Sequence, residues 1–179
     1  MMESLRSYHE ESAANILSFV RQRVDEFTRE HQNEVFSGFA FDCNVYEGVE
    51  LNLCFTTNGH LTDILHYYQT GEYQKYYLSE EGILGLKYNT GDWMYQCFSC
   101  MNCIEDHTYS YFRTDEQGKH TYWMELLSQV MVDFLATPEY AAINKSDDFS
   151  VLVYDHDEDA EVSEKRLMKI SPNPVFILN

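Results

Sequence analysis

The chain has 179 residues, 44% of them hydrophobic and 15% aromatic, which is enough to bury a core as one domain and too aromatic for a disordered chain. Thirty Asp and Glu against twelve Lys and Arg leave a formal charge of -18, a field that repels phosphate backbones and anionic membrane surfaces and attracts basic partners. Direct nucleic-acid binding is therefore not expected, and no run approaches the roughly 20 consecutive apolar residues of a membrane span.

The opening MMESLRSYHEES lacks the basic, then apolar, then small pattern of a signal peptide, and five Cys, an odd number, fit reduced thiols better than a disulfide framework. A cytoplasmic protein is the expectation. From about Ser4 to His31 the apolar residues Ala13, Ile16, Leu17, Val20, Val24 and Phe27 recur at three- and four-residue steps, which predicts a helix with one buried face. Phe36 to Thr57 then carries two alternating runs, Phe39, Phe41, Cys43 and Val49, Leu51, Leu53, Phe55, separated by the turn-forming Asn44 to Gly48. Period-two alternation is what a strand with one buried face requires, so these runs predict an antiparallel hairpin.

Leu61 to about Tyr68 reads as a helix, and the aromatic-rich stretch after Gly71 as irregular. Gly82 to Tyr88, GILGLKY, predicts a short third strand, and Thr90 or Asp92 is placed to cap a helix running through the cysteines toward Tyr109. Asp115 to Lys119 is a polar turn, followed by a helix with a continuous apolar stripe from Tyr122 to Leu135, stopped at Thr137-Pro138. Phe149 to Tyr154, with Val151, Leu152 and Val153 consecutive, reads as a strand inside a sheet. An acidic run leads into a last helix over Val162 to Ile170, closed by Ser-Pro-Asn-Pro. The expected fold is a single α/β domain of the α+β type, a mainly antiparallel sheet with an N-terminal hairpin and helices packed on it.

Two clusters bear on chemistry. Cys97, Cys100, Cys103 and His107 form a sufficient ligand set for tetrahedral zinc, but a single straight helix cannot wrap them around one ion, and buried thiols acting as small hydrophobes are the simpler reading. Asp155, Asp157 and Asp159 resemble the start of a calcium loop, yet Ala160 stands where the turn wants Gly and Arg166 where a bidentate Glu belongs. The histidines are scattered, and the chain carries no Gly-x-Ser-x-Gly, His-Glu-x-x-His, phosphate-cradling Gly-x-x-x-x-Gly-Lys-Ser/Thr or Gly-x-Gly-x-x-Gly. No catalytic residue and no cofactor is assigned.

Three stretches together resemble bacterial domain-of-unknown-function family 4303. They are the Phe39 to Asn58 hairpin, YNTGDWMY at Tyr88 to Tyr95, and the terminal VLVYDHDEDAEVSEKRLMKISPNP, whose Asn173-Pro174 matches the family's closing position. The resemblance implies no established activity, but small acidic α/β proteins of this kind look like immunity proteins that neutralise a cognate toxin. The expectation is a non-catalytic binding protein that inhibits a basic, nuclease-type toxin through Asp155, Asp157, Glu158, Asp159 and Glu161. A zinc-binding protein using Cys97 to His107 and a nucleic-acid-mimicking inhibitor of a defence enzyme are the alternatives.

Overall fold

The structure is a computed structural model, described over residues 2–45, 48–103 and 116–178. In chain order it runs α1 (Met2–Glu30), β1 (Phe36–Asn44), β2 (Glu50–Thr57), α2 (Asn58–Thr70), α3 (Glu80–Lys87), β3 (Tyr95–Asn102), α4 (Glu116–Leu135), α5 (Pro138–Ala142), β4 (Lys145–Asp155) and α6 (Ala160–Ile170). Single 3-10 turns sit at Gln74–Tyr76, Thr90–Asp92 and Pro174–Phe176. The class is α+β.

The four strands form one sheet in the order β3-β2-β1-β4. β1 pairs β2 antiparallel, as the alternation requires, and β2 pairs β3 antiparallel, but β1 pairs β4 in parallel. The sheet is therefore mixed rather than mainly antiparallel, and no hairpin leads the fold, because α1 precedes β1 and β1 lies between β2 and β4. A parallel neighbour needs a long crossover, which the segment holding α4 and α5 supplies. The consecutive Val151, Leu152 and Val153 reflect burial on both faces; β4 is nonetheless an edge strand.

On one face, Phe39 and Phe41 of β1 and Leu51, Leu53 and Phe55 of β2 meet Ile16, Val20 and Val24 of α1, the stripe of α4 from Trp123 to Phe134, and Leu167 of α6. On the opposite face, Ala40, Cys54, Leu152 and Tyr154 pack on Tyr88 and Trp93. Gly38 belongs to this second face because a Cβ there would lie 2.9 Å from the Trp93 ring. α2 leans on the same layer through His60, whose Nε2 lies 2.9 Å from the Asp92 carbonyl oxygen, and Tyr68, whose hydroxyl donates to the Asp92 carboxylate at 2.8 Å.

Three local expectations are corrected. The expected strand at Gly82 to Tyr88 is helix α3: the Ser79 hydroxyl accepts the Gly82 N–H at 3.1 Å, Glu80 and Glu81 occupy the first turn, and Lys87 the last. These end signals match the helix dipole and outweigh the two glycines. The expected helix through the cysteines is strand β3, whose pairing with β2 is irregular between Leu53 and Phe55, with Cys97 at φ 45°. That bulge turns both Tyr95 and Phe98 toward Phe27 of α1, a three-residue step that imitates helical spacing. Finally, Glu116 to Lys119, expected as a polar turn, form the first turn of α4.

Candidate functional site

The chain segments that leave the sheet at the ends of β1 and β4 set up the site. A parallel pair ends its two strands on the same side, the place where ligands gather in α/β proteins. Here β4 delivers Tyr154 to the second face, and the loop after it turns into α6. Across from it stands α3. Between them lies a cleft of about 910 Å³ lined by Glu80, Glu81, Leu84 and Tyr88 on one wall and Tyr154, His156, Glu158, Asp159, Glu161 and Glu164 on the other.

The carboxylates come from two helix starts. Glu80 and Glu81 fill the first turn of α3, while Asp159 stands at the N-cap position of α6, without a side-chain capping bond, and Glu161 lies in its first turn. Acidic residues stabilise helix N-termini, so local helix formation accounts for their presence. It does not account for their sum. Each N-terminus offers roughly +0.5 of a charge, about +1 for two, whereas six carboxylates line the cleft and only Glu158 faces an arginine there. Glu80, Glu81, Asp159, Glu161 and Glu164 make no ion pair among the described residues, and no Lys or Arg lines the cleft.

Glu158 is held apart from that group. Its carboxylate accepts from the Arg166 guanidinium at 2.8 Å and from the Asp155 backbone N–H at 3.2 Å. Burial pushes this carboxyl up, but the bonds and charge of Arg166 pull it further the other way, leaving it below the ordinary glutamate value. Arg166 also donates to the Val153 carbonyl at 2.7 Å and to the Ser128 hydroxyl at 3.0 Å, so it ties β4, α4 and α6 together.

The five acidic residues expected at the partner surface thus divide. Asp157, Asp159 and Glu161 are exposed. Asp155 is 2% exposed, and its carboxylate accepts the Val45 N–H at 3.0 Å, fixing the chain after β1 to the end of β4. Asp155 and Glu158 hold the loop in shape, and the exposed three present charge. Of those three, Asp159 and Glu161 line the cleft and Asp157 does not; Glu80, Glu81 and Glu164 join the two from positions that the sequence reading left unassigned. The signal for two of them was available in Ser79-Glu80-Glu81, a cap followed by acids.

A polar chain underlies the cleft. The buried Tyr154 hydroxyl donates to Thr90 Oγ1 at 2.7 Å, the Thr90 hydroxyl donates to Asp42 Oδ2 at 2.7 Å, and Asp42 Oδ1 lies 3.3 Å from His156 Nδ1. Burial raises the Tyr154 hydroxyl to about 12, so it stays a donor at neutral pH. The chain anchors the exposed His156 ring at the mouth of the cleft, and His156 shares no hydrogen bond with a thiol among the described residues.

The cysteine set does not converge. Cys97 lies on the second face, where its N–H points to Cys54 Sγ at 3.4 Å and its thiol to Asn52 Oδ1 at 3.0 Å, and Cys100 is paired with the same Asn52. Cys103 packs instead against the α1 and α4 core, and burial pushes its thiol up to about 12. The sheet therefore separates Cys103 from the other two. His107 lies outside the described residues, and among the described residues no group of three His, Cys, Asp or Glu is arranged to hold a metal ion. No described helix is long and apolar enough to cross a membrane.

Comparison with protein-family models gives no match, and comparisons with curated proteins and with solved structures give no significant similarity.

Proposed function

We propose that this protein is a non-catalytic inhibitor that captures a basic protein, of the immunity-protein kind implied by the resemblance to family 4303. The observation that carries the reading is the cleft between α3 and α6, where five carboxylates without a cationic partner face one another. Mutual repulsion among them is a standing cost to the free protein, and a cationic partner relieves it. On a chain of charge -18, such a site gains association rate by steering, by roughly 10- to 1,000-fold at low salt, and discriminates against acidic competitors. A nuclease-type toxin must carry cations to hold its own phosphate substrate, so covering those cations blocks its activity. The nucleic-acid-mimicking alternative shares the charge. Carboxylates gathered in one concave cleft fit a projecting cationic loop better than the extended row of phosphates that such a mimic copies.

The test is inhibition of basic nuclease-toxin domains by the purified protein, titrated at several salt concentrations. Stoichiometric inhibition that weakens as salt rises, and that falls when Glu80, Glu81, Asp159, Glu161 and Glu164 are changed to their amides, is the expected result. Equal inhibition by the wild-type and amide proteins removes the cleft from the mechanism.

A further inference from the structure

The layer that supplies one wall of the cleft is thinly covered. α2 spans thirteen residues without fully burying any of them, although Leu61, Ile64, Leu65 and Tyr68 share one side. Within it Tyr67 is 65% exposed, and just beyond it Tyr73 is 48%, Tyr76 58% and Leu78 62% exposed. Large apolar side chains scattered singly over a surface are ordinary, but four within twelve residues of one element pair mark a contact face.

The face is rigid. Tyr68 stacks on Tyr77 with centroids 4.6 Å apart and meets Tyr67 and Tyr73 edge-on at 5.5 and 6.1 Å. Tyr68 is itself fixed by its bond to Asp92, and Gln69 Nε2 donates to the Tyr77 carbonyl at 2.8 Å. Tyrosines held in this way lose little freedom on binding, which is why they dominate interface energetics. One ring already seats a cation: the Lys75 ammonium lies 4.6 Å from the centroid of Tyr76.

The face also runs into the cleft. Leu78 is followed by Ser79, the cap of α3, and then by Glu80 and Glu81 of the cleft wall. The Tyr76 turn presses so closely on α3 that a Cβ at Gly82 would lie 1.8 Å from the Tyr76 carbonyl oxygen.

We propose that Tyr67, Tyr73, Tyr76 and Leu78 form the second half of the partner surface, receiving an arginine-bearing segment of the basic partner whose apolar flanks cover the tyrosines while its guanidinium groups stack on them and reach Glu80 and Glu81. This rests on the inhibitor reading above. Charge decides the occupant. A second copy of this chain would bring -18 against -18, whereas an arginine-rich segment complements the neighbouring carboxylates and stacks on aromatic rings better than lysine does.

The test uses the full chain with a synthetic arginine–leucine repeat peptide as probe, followed by NMR chemical shifts and titration, with a lysine–leucine peptide alongside. Expected are perturbations at Tyr67, Tyr73 and Tyr76, tighter binding of the arginine peptide, and about a tenfold loss of affinity on Tyr67→Ser with Tyr76→Ser. These exposed positions leave the denaturation midpoint nearly unchanged. Perturbations confined to the Asp159 to Glu164 wall would overturn the tyrosine face and leave the inhibitor reading standing. No binding at either surface would sink both, and a concentration-dependent dimer abolished by the serine changes would assign the face to self-association instead.

Discussion

The two faces of the sheet are built for different ends. The α1 and α4 face is a closed aromatic core, with Phe36, Phe39, Phe41, Phe55 and Phe134 essentially inaccessible and their rings in contact. The opposite face carries Ala40, Asp42, Cys54 and Thr56, is covered by short elements, and links Asp42 into a bonded chain that runs from Tyr154 through Thr90 to His156. Most of the large buried side chains lie on the first face; the exposed tyrosines, Glu80 and Glu81 belong to the layer on the second, while Asp159, Glu161 and Glu164 come from α6, which is anchored in the first-face core through Leu167. Such a division lets a binding surface vary without unfolding the scaffold.

The largest effect that sharpens this contrast is Phe39→Ala. Phe39 is fully buried and touches Phe41, Phe55 and Phe134, so its loss should cost about 3–5 kcal/mol in urea denaturation. A loss under about 1 kcal/mol would mean that the aromatic core is looser than its contacts indicate.

Glu158→Gln comes next, at about 2 kcal/mol, because it leaves the half-buried Arg166 without its charged partner while Arg166 keeps its bonds to Val153 and Ser128. The folded-state carboxyl lies below its unfolded value, so its contribution is present above the ordinary glutamate range near about 4.3 and is lost as pH falls through the lower folded value. Stability measured from neutral to acid pH should therefore fall less steeply in the glutamine variant. Parallel acid limbs for the two proteins would remove Glu158 from that role.

Gly82→Ala probes the join between the two halves of the proposed surface. Alanine favours the helix by up to about 1 kcal/mol, but the new Cβ meets a backbone carbonyl that yields only if the Tyr76 turn moves, a strain of about 1–3 kcal/mol. Strain wins, by about 1 kcal/mol. The expected result is a modest drop in the denaturation midpoint with altered tyrosine fluorescence, while a stabilised variant with unchanged fluorescence would contradict the close approach.

What the sequence disclosed follows the same division. The strands β1 and β2 were legible because one face is wholly apolar, so Leu51, Leu53 and Phe55 alternate cleanly with their neighbours. β3 was misread because its bulge at Cys97 breaks the two-residue period, and α3 because its apolar residues and glycines hid the capping signal at Ser79. The parallel placement of β4 depends on where a crossover lands, which no local pattern encodes. At the site, Asp159 and Glu161 were legible as charge density, whereas Asp157, equally legible, is not part of the cleft lining. The diversion of Asp155 to the Val45 N–H, and the arrival of Glu80 and Glu81 from a distant part of the chain, depend on tertiary structure alone.

The smallest change in stability comes from the groups proposed to matter most for binding. Changing Asp159, Glu161 and Glu164 together to their amides removes no ion pair among the described residues, so unpaired surface positions predict a stability change within about 0.5 kcal/mol per site. Relief of repulsion in the cleft favours the variant, and loss of the acidic groups at the α6 N-terminus opposes it by about 0.3–1 kcal/mol each. The two terms oppose each other and nearly cancel. Partner affinity has no such compensation: each carboxylate lost weakens attraction for a cation, and the dependence of binding on salt should flatten with it. Thermal melts and a salt series on the same samples separate the two readouts. A variant that loses several kcal/mol of stability would show that the cleft wall is part of the scaffold, and one that keeps both its stability and its salt dependence would move the binding surface away from α6.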